Sequence, residues 1–99
     1  MKKLSVDEFK ASFSRVEPSE ELTLHEKALW FAGKGAWGAA HQIVQDMNDQ
    51  FSSRIHAFIH RQEGDISNAR YWYNKAGSNL PALSLDEEWE ELFKERYSL

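Results

Sequence analysis

Residues 56–77 read HAFIHRQEGDISNARYWYNKAG, a segment that spells two helices joined by a tight turn. Before the central Gly64-Asp65 pair, Phe51, Ile55, Phe58, Ile59 and Gln62 fall along one side of a helix that begins in the preceding residues. After that pair, Ala69, Trp72, Tyr73 and Ala76 share a face. Gly64 closes the first helix, and Asp65 is a good N-cap for the second because its carboxylate can accept a backbone N–H of the first turn. Gly77 suits the left-handed residue that terminates a helix. The reading is a helical hairpin over residues 51–76.

The same grammar recurs upstream. Thr23 with Glu26 has the form of a capping box, and Leu24, Ala28, Leu29 and Phe31 or Ala32 follow at helical spacing as far as Gly33. Gly33-Lys34-Gly35 is a turn, after which Ala36, Ala40, Ile43, Val44 and Met47 form a second stripe, giving a first hairpin over 24–47. Superposing the two hairpins on their turns aligns Gly35 with Gly64, Ala28 with Ala57 and Ala40 with Ala69, always at a shift of 29 residues. Small residues thus repeat where helices would cross closely, which predicts stacked hairpins.

Two further helices flank the repeat. Ser5 with Glu8 is a capping box, Leu4 and Phe9 stand at hydrophobic-staple positions, and Val6, Phe9 and Phe13 share a face, predicting a short helix over 6–13. Residues 15–22, with Pro18 and no periodicity, form a connector. Ser84 with Glu87 opens a last helix over 85–97, with Leu85, Trp89, Leu92 and Phe93 as its apolar stripe. Six acidic residues, Glu88 among them, cover the rest, as on a terminal capping helix with one solvated face. The expected fold is all-α: two stacked antiparallel hairpins, a short N-terminal helix and an acidic C-terminal cap, in one domain over 1–99.

Composition narrows the function. At 99 residues the chain fits one domain. It has no cysteine, hence no disulfide, thiolate metal site or thiol nucleophile, which is compatible with a cytoplasmic location. The opening MKKLSVDEFKASF breaks any apolar run with Asp7, Glu8 and Lys10, so no secretion signal is expected, and no stretch approaches the roughly 18 apolar residues of a membrane span. A net charge of −4 with scattered Lys and Arg argues against nucleic acid as partner.

On the positions Ala57, Gly64-Asp65, Ala69, Tyr73, Ala76 and Pro81, the second hairpin resembles a tetratricopeptide repeat. It departs from that pattern at Ser53, His56 and His60, where the family usually carries Trp, a large aliphatic and Tyr. The first hairpin matches through Ala28, Phe31, Gly35 and Ala40, and the resemblance covers about Leu24 to Pro81. The segment also looks like a HAxxHRxEGDxxNAxYWY signature of small uncharacterised bacterial proteins, a likeness that brings no activity with it. The tetratricopeptide resemblance implies a protein or peptide held in a groove, with no cofactor. Phe51, Arg54, Phe58 and Arg61 on the fourth helix, together with Tyr71, are the expected contact residues.

His56 and His60 lie four residues apart, so their rings can sit one helical turn apart on the same side, with Glu63 nearby. In the preferred reading, His56, His60, Glu63, Asp65 and Asn68 form a polar cluster whose neutral imidazoles hydrogen-bond Asn68, Tyr71 or a backbone carbonyl. In the alternative, His41, His56, His60 and Glu63 hold a metal, structural or catalytic. The zinc-hydrolase pattern needs a Glu directly after the first His, where Ala57 stands, so no metal is expected. Ser52, Ser53 and Ser67 lie in no recognisable nucleophile elbow, and GKGAWG lacks the residues of a phosphate loop. An enzyme is the minority reading. Self-association through the ends of a short stack, giving a homo-oligomer, is a third.

Overall fold

The computed structural model describes residues 5–97, which contain helices and no strand. The order is α1 (Val6–Ala11) running into a 3-10 turn (Ser12–Ser14), then α2 (Leu24–Gly33), α3 (Trp37–Val44), α4 (Gln50–Gln62), α5 (Ile66–Lys75) and α6 (Leu85–Tyr97). Leu4, half of the expected staple, lies outside the described residues. Among the described residues no helix is long and apolar enough to cross a membrane.

The helix starts follow from local chemistry. Ser5 and Thr23 each cap their helix with a reciprocal box, the third residue's glutamate returning to the cap's own N–H. Ser84 and Glu87 make the same pair of bonds ahead of α6. Asp65 accepts the Asn68 N–H, and Gly77 takes a φ of +78° beyond α5, as its position requires. The third helix ends at Val44, three residues short of the predicted Met47, because Asp49 acts as N-cap of α4 through the Ser52 N–H and the chain must leave α3 to deliver it.

The helices pair in sequence, α2 with α3 and α4 with α5, and α3 lies against α4. Ala28, Ala40, Ala57 and Ala69 are all fully buried, so the recurring small residues stand at covered positions. The main core gathers Leu29, Trp30, Ile55, Phe58, Trp89 and Leu92, and a smaller one joins Ala57, Ala69 and Tyr73.

The acidic helix takes a place that its amphipathic stripe alone does not specify. It packs on α2 and α4, with α1 alongside, and so covers the face those helices share. Phe9 stacks obliquely on Phe93 at 4.8 Å, Phe13 meets Trp89 edge-on at 5.8 Å, and the Trp89 indole N–H donates to the Leu29 carbonyl at 2.8 Å. Gly33 is part of this seam: a Cβ there would stand 2.6 Å from Phe13 Cζ and 2.9 Å from two atoms of the Trp89 indole. Alanine in a helix ordinarily stabilises by up to about 1 kcal/mol over glycine. Here Gly33→Ala is expected to destabilise by about 1 to 2 kcal/mol, because overpacking two rings outweighs the propensity gain. Urea denaturation of the variant checks this, and a stabilised variant would show that the seam is loose.

Candidate metal centre

His41 lies in α3, and His56 and His60 lie one turn apart on α4. Because α3 packs on α4, the three rings converge. Ring centroids are 4.6 Å apart for His41 and His56, 5.4 Å for His41 and His60, and 4.9 Å for His56 and His60. One nitrogen from each ring lies within 4.8 Å of one nitrogen from each of the others. His56 is buried at 4% exposure, whereas His41 and His60 are half-buried.

Trp72 of α5 stacks on His56 with centroids 3.8 Å apart and ring planes 12° from parallel, and the Lys75 ammonium sits over the same indole at 4.7 Å. This packing takes His56 out of water. Burial, followed by the positive potential of His41, His60 and Lys75, lowers its pKa from 6.5 to about 4, so the ring is neutral at pH 7. Its Nδ1 is buried and has no hydrogen-bond partner among the described residues. His60 differs: its Nδ1 is 2.5 Å from Glu63 Oε1.

The structure therefore brings together His41, His56 and His60, puts Glu63 behind His60, and separates the rest of the expected polar cluster. Asn68 is committed to Asp65, donating its side-chain amide at 2.7 Å and its backbone N–H at 3.3 Å. These bonds hold the Asp65 carboxyl below its usual pKa and leave it serving as a helix cap. Glu63 and Asp65 come close enough to His60 to form a second potential ligand group, but both carboxylates have these other tasks. Tyr71 is 58% exposed and meets Trp72 edge-on at 5.3 Å. Among the described residues, the expected bonds from these histidines to Asn68, Tyr71 or a carbonyl are not found, and His60 instead meets Glu63.

The residues expected to contact a partner take these places in the structure. Phe58 is in the core. Arg54 donates to Glu95 at 2.5 Å, and Arg61 donates to Glu88 at 2.8 Å and to the Leu83 carbonyl, so α6 and its approach occupy both cations. Phe51 is half-buried, edge-on to His25 at 5.1 Å. The physical reason is the docking of α6 on the α4 face that was expected to be open.

A Ser-His-Asp grouping also forms, at residues the sequence reading passed over as a set. His25 Nε2 is 2.8 Å from Asp49 Oδ2 and 2.9 Å from Ser52 Oγ, while the Ser52 hydroxyl donates to Asp49 Oδ1 at 2.6 Å. A nucleophilic triad needs the acid on one imidazole nitrogen and the serine on the other, so that the ring can take the serine proton. Here both meet Nε2, and the hydroxyl proton is directed at the carboxylate. Ser52 is buried as well, at 1% exposure. Burial acts to raise the Asp49 pKa, yet the Ser52 hydroxyl and N–H and the neighbouring His25 outweigh it and lower the value to about 2. The group is a strong helix cap.

Imidazole nitrogens suit zinc, copper(II) or nickel as ligands. With each nitrogen about 2.0–2.1 Å from a tetrahedral ion, neighbouring nitrogens stand about 3.3 Å apart. The present nitrogens lie within 4.8 Å of one another, so they would have to draw closer to hold an ion. Compared with protein-family models, curated proteins and solved structures, the chain matches none, so the reading of this centre rests on its own geometry.

Proposed function

We propose that the protein binds one divalent transition-metal ion, with His41, His56 and His60 as ligands. The observation that carries this reading is the state of His56: buried, neutral, without a partner for Nδ1 among the described residues, and with a ring nitrogen within 4.8 Å of one from each of two further imidazoles. A buried polar atom left unsatisfied costs about 1 to 3 kcal/mol. A coordinated ion would give this cluster a stabilising role that its hydrogen bonds do not supply. The tetratricopeptide-like reading, with α2–α3 and α4–α5 as its hairpins, remains the proposed arrangement of the fold. Partner binding along α4 is less well supported, because the side chains it relied on are engaged by α6.

An ion held between α3 and α4 joins the two helix pairs, and ligands that bind only the folded state stabilise it by mass action. Chelator-stripped protein is expected to take up one equivalent of zinc by calorimetric titration. Its melting temperature should rise by more than about 10 °C when free zinc reaches a hundred times Kd, since that excess gives about 2.7 kcal/mol. His41→Ala, a change at a half-buried position, should remove most of both effects. A stripped protein whose titration and melt ignore zinc, copper(II) and nickel would end this reading.

A further inference from the structure

We infer that Glu63 is a positioning residue for this centre: it holds a proton on His60 Nδ1 and thereby makes Nε2 the nitrogen that His60 offers to the ion. This inference rests on the metal-binding reading and specifies how one of its ligands is prepared. A neutral imidazole has one N–H and one lone pair, and either nitrogen can carry the proton. An ionised carboxylate only accepts, so a 2.5 Å contact between His60 Nδ1 and Glu63 Oε1 puts the hydrogen on Nδ1 and leaves the only lone pair on Nε2. Such carboxylate partners also fix ring orientation and raise ligand basicity.

The fold keeps Glu63 in this place. It is the C-cap residue of α4, its N–H bonded to the Ile59 carbonyl at 3.2 Å, and Gly64 follows with a φ of +84° that turns the chain away. Glu63 therefore sits three residues beyond His60 at the helix end, where its short reach meets Nδ1. Asp65, the neighbouring acid, is taken by Asn68 and does not compete. His41 and His56 have no comparable carboxylate among the described residues, so the three ligands are unequal: His60 is set in advance, His56 is held by stacking on Trp72, and His41 completes the set.

The test combines two variants with two measurements on the full chain. Zinc affinity by titration should fall about 10- to 100-fold in Glu63→Ala, the usual cost of losing an outer partner of a ligating histidine. Glu63→Gln should recover most of that loss, because an amide oxygen also accepts the Nδ1 proton. Nitrogen-15 NMR of the metal-free protein should find His60 as the Nδ1–H tautomer in wild type and shifted toward Nε2–H in Glu63→Ala. Wild-type affinity in Glu63→Ala, a Gln variant as weak as the Ala variant, or a wild-type ring protonated on Nε2 alone would each overturn the role of Glu63. Wild-type protein that takes up no zinc would overturn the metal reading itself, and the two failures are thus distinct.

Discussion

Glu88→Ala is expected to destabilise the protein by about 3 to 5 kcal/mol, the cost of leaving a buried charge without its partner. Glu88 is only 3% exposed, although it belongs to a helix rich in solvated acids. Its two oxygens serve different elements: Oε1 accepts from Arg61 of α4 at 2.8 Å, and Oε2 accepts from the Tyr73 hydroxyl of α5 at 2.6 Å. Arg61 donates further to the Leu83 carbonyl in the approach to α6. Burial, reinforced by this hydrogen bond and by the charge of Glu88, raises the Tyr73 pKa and keeps the phenol protonated as a donor. Removing the carboxylate strands the guanidinium and the hydroxyl together. A domain of this size holds about 5 to 15 kcal/mol in all, so the variant should be unfolded at temperatures where the wild type is intact. Glu90→Ala is the control, since its pair with Lys10 is about 40% exposed on both sides and is expected to matter by no more than about 1 kcal/mol. Equal denaturation midpoints for the two variants would mean that the buried network contributes nothing.

Acidifying the metal-free protein from pH 7 to pH 4 should remove up to about 3 kcal/mol through His56 alone. The folded-state pKa, about 4, lies below the ordinary 6.5, so folding favours the neutral ring. The associated stability is fully present above 6.5 and is lost as the pH falls from there toward 4, because the unfolded chain then binds a proton that the folded one refuses. Asp49 acts in a lower window. Its pKa drops from 3.8 to about 2 on folding, so its contribution survives down to about pH 4 and fades below it. His56→Phe keeps an aromatic face for Trp72 and removes the titration, and it should flatten the stability profile between pH 6.5 and 4. Urea midpoints at several pH values measure this, and parallel profiles for wild type and variant would locate the acid sensitivity elsewhere.

Local signals in the sequence correspond closely to local structure. The capping boxes at Ser5, Thr23 and Ser84 are read from pairs three residues apart, and those bonds form within a single turn. His41, His56 and His60 were likewise legible as a set, because two share a helix face and the third lies on the helix before. What could not be read depends on pairings distant along the chain. An apolar stripe on α6 announces that one face is buried without saying against what, so the docking of α6 on α2 and α4, which withdraws Phe58, Arg54 and Arg61 from the surface, carried no sequence signal. Glu88 stands three residues after Leu85 and four before Leu92, on the apolar stripe itself, but the groups that meet its carboxylate there, Arg61 and Tyr73, depend on how α6 docks. Trp72 was assigned correctly to an apolar face, yet its stacking on an imidazole depends on the crossing of α4 and α5.

The place of α6 also bears on how the chain folds during synthesis. Trp89, Leu92 and Phe93 complete a core whose other walls, in α1, α2 and α4, emerge from the ribosome well before them. Until those three side chains arrive, Phe9, Leu29 and Phe58 have no permanent cover, and the nascent chain presents a sticky apolar face. The paired helices rest on nearby contacts, whereas closure of the core needs long-range ones, which as a rule form more slowly. Truncations that stop before Leu85 should accordingly be found with chaperones or in aggregates.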